Sequence, residues 1–320
     1  MSTRVVVTGG AGFIGRAVVS ELQRRGHGVT VVDDLSKEGA ESPRDVRFER
    51  IDLTDAARTR AAFEGHDVCV NLAAKIGGIA YFHKFPADIL AENDRIYSAT
   101  FRAAAQLKFR RIVFISSSMV FENASVFPSR ETDLLTTPPP VSAYGFSKLS
   151  GEYYCRAFYD QFALPYTIIR PFNAYGADEL PGDEVGIAHV IPDLIKKALD
   201  AGSSDAPLEL LGNGDQTRCF THVRDIARGI VAAMESPAGV NEDFNISTAQ
   251  ETRILDLARM IHERCRPGVP FRVTSAPTFA YDIQRRVPEV SKALSLLNWR
   301  AETTLESGLD EVIAAYRARR

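Results

Sequence analysis

Cysteine is sparse in this sequence and never clustered. The four residues, Cys69, Cys155, Cys219 and Cys265, lie far apart, so they supply neither the close pairs of a zinc site nor the disulfide frame of a small secreted fold. They read as buried thiols. Net charge is also small. Lys and Arg number 38 against 41 Asp and Glu, leaving −3, and no basic excess is available to neutralise a nucleic-acid backbone. No run approaches the roughly 20 apolar residues needed to cross a bilayer. A strand pattern at Val5–Thr8 leaves no room for a charged, cleavable leader ahead of it. These absences argue against nucleic acid and membrane as partners and favour a cytoplasmic protein.

What is present is core. With 320 residues, 45% of them hydrophobic, the chain suffices for one large domain or two of ordinary size. In its first half, short β-branched runs alternate with longer amphipathic segments, the pattern of an α/β protein whose parallel sheet is covered by helices on both faces. Strands are predicted at Arg4–Thr8, Val29–Asp33, Val46–Ile51, Val68–Leu72, Arg111–Ser116 and Tyr166–Arg170, with helices beginning near Gly12, Thr54, Ala91 and Ala143. After Pro171 the regularity weakens. Residues Ala177–Gly214, with Pro181, Pro192 and Pro207, read as a loop-rich stretch before helical pattern returns near Asp225. The chain therefore divides into a dinucleotide-binding domain, 1–173, and a smaller substrate-binding region, 174–320, of which 221–246 returns to the first domain. The smaller region is expected to close over the carboxyl ends of the strands, where ligands bind in open parallel sheets.

Thr8-Gly9-Gly10-Ala11-Gly12-Phe13-Ile14-Gly15 follows the first strand and opens the first helix. Glycines 9, 12 and 15 let the backbone turn tightly and approach a pyrophosphate, whose charge is favoured at a helix N-terminus. Phe13 and Ile14 belong to the same turn. Asp33 ends the second strand 18 residues after Gly15, near the spacing of a carboxylate that accepts from the adenosine ribose hydroxyls and repels a 2′-phosphate. NAD is therefore expected rather than NADP, unless Lys37 or Arg44 offsets the charge. Asp52 and Leu53, after the third strand, are placed either to bracket the adenine or, for Asp52, to cap the next helix.

Tyr144 and Lys148 are four residues apart at the start of a predicted helix, so they share a face. A tyrosine acting as a base near neutrality needs a cation beside it, because its ordinary pKa is about 10. Ser116-Ser117-Ser118, after the fifth strand, offers a hydroxyl to share the proton. Together with the glycine loop, these residues resemble the nucleotide-sugar epimerase and dehydratase branch of the extended short-chain dehydrogenase/reductase family.

The resemblance covers nearly the whole chain. It implies a Rossmann-type, doubly wound parallel sheet with a smaller C-terminal substrate-binding domain, the catalytic set Ser117, Tyr144 and Lys148, and a nucleotide-diphosphate sugar as substrate. Ser117 is chosen because it precedes Phe121 by four residues, and Phe121 stands at the tyrosine of the family's Val-Tyr-Gly. The resemblance also places Leu72, Ala73, Ala74 and Lys75 beside the nicotinamide and sugar, with Asn93 as the recurrent helix asparagine. Asn173 would meet the diphosphate, and Arg218 and Arg286 would bind it, since the guanidinium fork matches phosphate oxygens. The helices around Ala91–Leu107 and Ala143–Phe158 imply a homodimer through a four-helix interface, although burial against the chain's own sheet would use the same faces.

The residues after Ser117 bear on the reaction. A dehydratase of this kind carries Asp-Glu where this chain has Ser118 and Met119, and the decarboxylating branch expects Glu at Met119. The segments Ala73–Ile79 and His189–Pro192 resemble GDP-fucose synthase and, less closely, GDP-mannose 3,5-epimerase, which place a cysteine where Met119 stands. A thioether exchanges no proton. Oxidation and reduction at carbon 4, inverting that centre through a transient 4-ketose, is the expected chemistry. The alternatives are a GDP-fucose-synthase-like reductase or 3,5-epimerase using His189, and a non-catalytic protein that retains NAD and nucleotide sugar. His189 could equally hydrogen-bond a sugar hydroxyl or cap the following helix.

Overall fold

The computed structural model describes residues 2–37, 39–43, 45–76, 79–181, 189–278 and 283–320. Arg44 and the Gly77-Gly78 pair, both used in the sequence reading, lie outside the described residues.

Six strands come first: β1 (Arg4–Thr8), β2 (Gly28–Asp33), β3 (Arg47–Arg50), β4 (Val68–Asn71), β5 (Arg111–Ile115) and β6 (Tyr166–Pro171). Short later strands pair off as β7 (Ala174–Tyr175) with β10 (Thr221–His222), and β8 (Leu208–Leu211) with β13 (Val273–Ala276). A third small sheet sets β9 (Thr217–Arg218) between β12 (Thr252–Arg253) and β14 (Arg285–Arg286). β11 (Glu242–Ile246) returns to the main sheet, which is seven-stranded, parallel throughout, and ordered β11-β6-β5-β4-β1-β2-β3. Every residue of β4 and β5 is buried, which explains their unbroken apolar runs in place of alternation.

The helices are α1 (Phe13–Arg24), α2 (Ala56–Phe63), α3 (Ile79–Lys84), α4 (Pro86–Gln106), α5 (Ala143–Phe162), α6 (Val190–Ala201), α7 (Val223–Glu235), α8 (Ile254–Cys265), α9 (Ser291–Leu297) and α10 (Leu305–Ala318). α1 and α7 pack together on one face of the sheet, burying Val18, Leu22, Ile226 and Ile230. α4 and α5 cover the other face through Tyr97, Phe101 and Cys155. Each large apolar side chain buried in this way contributes roughly 1.5–3 kcal/mol relative to exposure. The result is the doubly wound α/β fold of the Rossmann type. Its strand order reverses at β1, so the crevice opens between the ends of β1 and β4.

A separate core lies beyond the sheet, where Ile191, Leu194, Leu208, Leu257, Leu309 and Ile313 pack together. Here the sequence reading is corrected. The stretch 177–214 is not loop throughout, since it holds α6 and β8. Pro192 did not break α6 because it stands in the first turn, where a backbone N–H has no helical partner to lose. For the same reason α4 begins at Pro86, five residues before the expected Ala91. α2 is capped by Asp55, which accepts from Ala57 and Arg58 N–H at 3.1 Å each, so Asp52 is not the helix cap. No described helix is long and apolar enough to cross a membrane.

Candidate active site

A cleft of about 710 Å³ runs along the strand ends and reaches the second core. Its first wall is the β1–α1 turn. Gly9 has φ +68°, and a Cβ there would fall 2.7 Å from the Ala73 nitrogen; one on Gly15 would fall 2.2 Å from the Gly9 carbonyl. Side chains at either point would separate β1 from the β4 loop or push α1 off the turn. Gly12 is the N-cap of α1 and contributes no side-chain cap, so the amides of Phe13, Ile14 and Gly15 begin a helix whose N-terminal donors border the cleft. This arrangement suits the pyrophosphate of a dinucleotide. Thr8 Oγ1 donates to Asn71 Oδ1 at 2.6 Å and accepts from Ala73 N–H at 3.3 Å, tying the two strand ends together.

Asp33, at the end of β2, accepts from Ala11 N–H at 3.1 Å and from Leu35 N–H at 2.9 Å. Burial raises its pKa, and these backbone donors oppose the rise. The carboxylate therefore braces the glycine turn while lining the cleft. Asp52 and Leu53 line the same end; Asp52 accepts from Thr54 N–H at 2.9 Å, which lowers its pKa.

The catalytic candidates come from β5 and α5. Ser117 leaves β5 and accepts from Met119 N–H at 3.1 Å, starting a short 3-10 turn, Ser118–Phe121. Tyr144 lies in the first turn of α5, whose N-cap Ser142 accepts from Gly145 N–H at 3.1 Å. Burial pushes the Tyr144 phenol up to about 12, while a hydrogen bond with Ser117 and the charge of Arg286 pull the other way. Lys148 stands one turn on. Its Nζ donates to the Ile115 carbonyl at 2.8 Å and lies 5.9 Å from the Tyr144 ring centre. Burial pushes its pKa down to about 7.

Around this centre the structure assembles the other expected residues. Leu72, Ala73, Ala74 and Lys75 form the bank after β4. Asn93 Oδ1 accepts from Lys75 N–H at 2.6 Å, and its Nδ2 donates to Ser147 Oγ at 3.1 Å. Ser147 Oγ in turn donates to the Tyr144 carbonyl at 2.8 Å, so one buried asparagine holds the β4 loop against the catalytic helix. On the far bank, Asn173 donates to the Cys219 carbonyl at 3.2 Å. Arg218 and Arg286, 68 residues apart in the chain, are register partners on β9 and β14. Arg286 Nη1 also donates to Ser118 Oγ at 3.3 Å.

His189 occupies the N-cap position of α6 without capping it through its side chain. Its Nδ1 instead pairs with Glu179, whose side chain is largely buried. Ser118, Met119, His189, Arg218 and Arg286 all line the cleft. Several lining carboxylates escaped the sequence reading, Glu122 and Glu179 among them. A signal existed for Glu122, which stands where the Val-Tyr-Gly pattern places glycine. None existed for Glu179, because only folding brings it to His189.

A glycine turn opening the first helix, a carboxylate at the end of β2 and a Ser-Tyr-Lys set on one cleft define a protein of the short-chain dehydrogenase/reductase type. The NAD dependent epimerase/dehydratase family matches residues 5–247, and the chain belongs to that family. NAD is its cofactor. The chain is 31% identical to a UDP-N-acetyl-alpha-D-glucosaminuronate decarboxylase of Bacillus cytotoxicus, covering 99% of this chain and 98% of that one. It is 29% identical to a UDP-glucose 4-epimerase of Mycolicibacterium smegmatis, covering 98% of both. Among solved structures, the UDP-glucose 4-epimerase of Thermotoga maritima with UDP-glucose superposes with a TM-score of 0.87 at 29% identity, covering 99% of each chain.

Proposed function

We propose that the chain is a nucleotide-sugar 4-epimerase. The observation that carries this reading is Met119 beside Ser118: the turn following Ser117 presents a hydroxyl and a thioether to the cleft, and neither replaces the acid and base that elimination or decarboxylation places there. The glycine turn, Asp33, Asp52 and Leu53 hold NAD, with Leu72–Ala74 beside its nicotinamide. Arg218 and Arg286 take the diphosphate, and Asn173, Lys75 and Ser118 surround the sugar.

Tyr144 accepts the proton of the carbon-4 hydroxyl, with Ser117 sharing it and Arg286 favouring the phenolate. Lys148, anchored on the Ile115 carbonyl, supports that proton transfer through its field when protonated. NAD, held by the glycine turn and Asp33, would supply a reversible hydride acceptor for carbon 4, so that the ketose could be reduced again on its opposite face after turning in the cleft. Tyr144 then gives the proton back. No second acid or base is needed, which is why methionine at 119 suits this reaction.

A second reading, a reductase or 3,5-epimerase resembling GDP-fucose synthase, is favoured by one observation. Glu179 holds His189 by Nδ1 in the cleft wall, leaving Nε2 available to exchange a proton. The two readings separate in deuterated water. The purified enzyme is incubated with UDP-, GDP- and dTDP-hexoses and the products are resolved by NMR. A 4-epimer without carbon-bound deuterium is expected; deuterium at carbon 3 or 5 overturns the assignment and makes His189 the acid.

A further inference from the structure

Glu122 is the cleft carboxylate that the proposed reaction does not use. It ends the turn begun by Ser117, and its Oε2 accepts from Ser142 Oγ at 2.6 Å and from Ser142 N–H at 3.1 Å. A Cβ on Gly145, the residue after Tyr144, would lie 3.0 Å from Glu122 Oε2 and 2.9 Å from the Met119 carbonyl. The carboxylate therefore stands at the N-terminus of the catalytic helix, beside Met119 and on the wall that flanks the sugar.

No cation pairs with it among the described residues. Three other acids of the cleft are matched by side chains, Glu92 with Lys75 at 3.0 Å, Glu179 with His189, and Asp193 with Lys197 at 3.3 Å, while Asp33, Asp34 and Asp52 accept from backbone N–H groups at the glycine-turn end. Arg286 reaches Ser118 in the free chain, but a diphosphate drawn between the adjacent Arg218 and Arg286 would engage that guanidinium.

We propose that Glu122 sets the substrate class, admitting nucleotide hexoses that are uncharged at carbon 6 and rejecting hexuronates. This deepens the nucleotide-sugar reading of the cleft and rests on it. A carboxylate on carbon 6 beside Glu122 would meet a like charge, which in a partly wet cleft weakens binding by about tenfold.

The test is calorimetric titration of the NAD-loaded enzyme with two pairs that differ only at carbon 6, UDP-glucose against UDP-glucuronate and GDP-mannose against GDP-mannuronate. Within the pair whose nucleotide binds better, the neutral sugar is expected to bind about tenfold or more tightly. Glu122→Gln, which keeps an acceptor for Ser142, should bring that ratio close to unity. The ratio is read within one sample, so partial misfolding cancels. The wild-type enzyme gives a measurement that needs no variant, because added KCl should narrow the ratio by screening. A uronate that binds the wild type as well as its neutral partner overturns the proposal, as does a ratio that neither Glu122→Gln nor salt changes. Binding is read without turnover, so failure of carbon-4 inversion would leave the ratio standing. Failure of all four ligands to bind would instead remove the nucleotide-sugar reading, and this proposal with it.

Discussion

Replacing Lys148 with methionine should make the NAD-free protein more stable while disabling it as an enzyme. Lys148 is buried, with the Ile115 carbonyl as the hydrogen-bond acceptor of its Nζ. Its ordinary pKa of 10.5 falls to about 7 on folding because burial penalises the ammonium. Between those values the unfolded chain keeps a proton that the folded chain has released. Stability from this group therefore rises with pH through the window and is lowest below about pH 7, where the charge must be buried. From about pH 7 to about pH 8.5 the wild type should gain on the order of 1–2 kcal/mol from Lys148, as its slope approaches about 1.4 kcal/mol per pH unit. The methionine variant has no such component. Buried thiols whose pKa values are raised, such as Cys219, weaken stability as pH rises above the ordinary thiol range, but they are common to both proteins and cancel in the comparison. Urea unfolding of both NAD-free proteins at several pH values measures the difference. Parallel pH slopes would refute the reasoning, because the lysine would then have kept its proton in the fold.

Two further outcomes are expected. Tyr144→Phe removes the ionisable oxygen and leaves the buried ring, so turnover should fall by about 10²–10⁴ while calorimetric NAD binding stays within a few-fold; near-normal turnover would eliminate Tyr144 as the base. The outer faces of α4 and α5 expose Leu90, Phe146, Tyr153 and Phe162, so we expect a homodimer through these helices, and a monomeric mass by light scattering across micromolar concentrations would contradict it.

The sheet was legible in the sequence because local pattern decides it. Val5–Thr8 and Val29–Val32 are nearly all β-branched, and Gly9 must be glycine where β1 turns against Ala73. The cofactor turn and the Tyr144/Lys148 pair were legible for the same reason, since both are local spacings at helix starts. The second core was less so. α6 was masked by Pro192, although Ile191, Leu194, Ile195 and Ala198 form a helical stripe. Helical spacing puts Tyr144 and Lys148 on one face but does not fix where a long side chain ends. The Ile115 carbonyl took the ammonium because a buried donor needs its nearest acceptor.

Least legible was the charged layer beneath the site. Arg170, fully buried on β6, donates to Glu152 through Nε at 2.8 Å and Nη2 at 2.7 Å, and pairs with Asp243 of β11 at 2.8 Å. Lys292 closes the chain onto Asp243 at 2.7 Å. Such a cluster is weak evidence for stability, because desolvating four charges offsets much of their attraction. Its geometry explains its place. Glu152 lies one helical turn after Lys148, and it accepts from Ser116 Oγ, the neighbour of Ser117, at 2.7 Å. The same carboxylate thus fixes the strand end that presents Ser117 and the helix that presents Tyr144 and Lys148. An apolar layer of equal volume would fill the space without setting the angle between β5 and α5. The proton transfer proposed between Ser117 and Tyr144 would depend on that angle, since a misplacement of about 1 Å costs on the order of a hundredfold in rate.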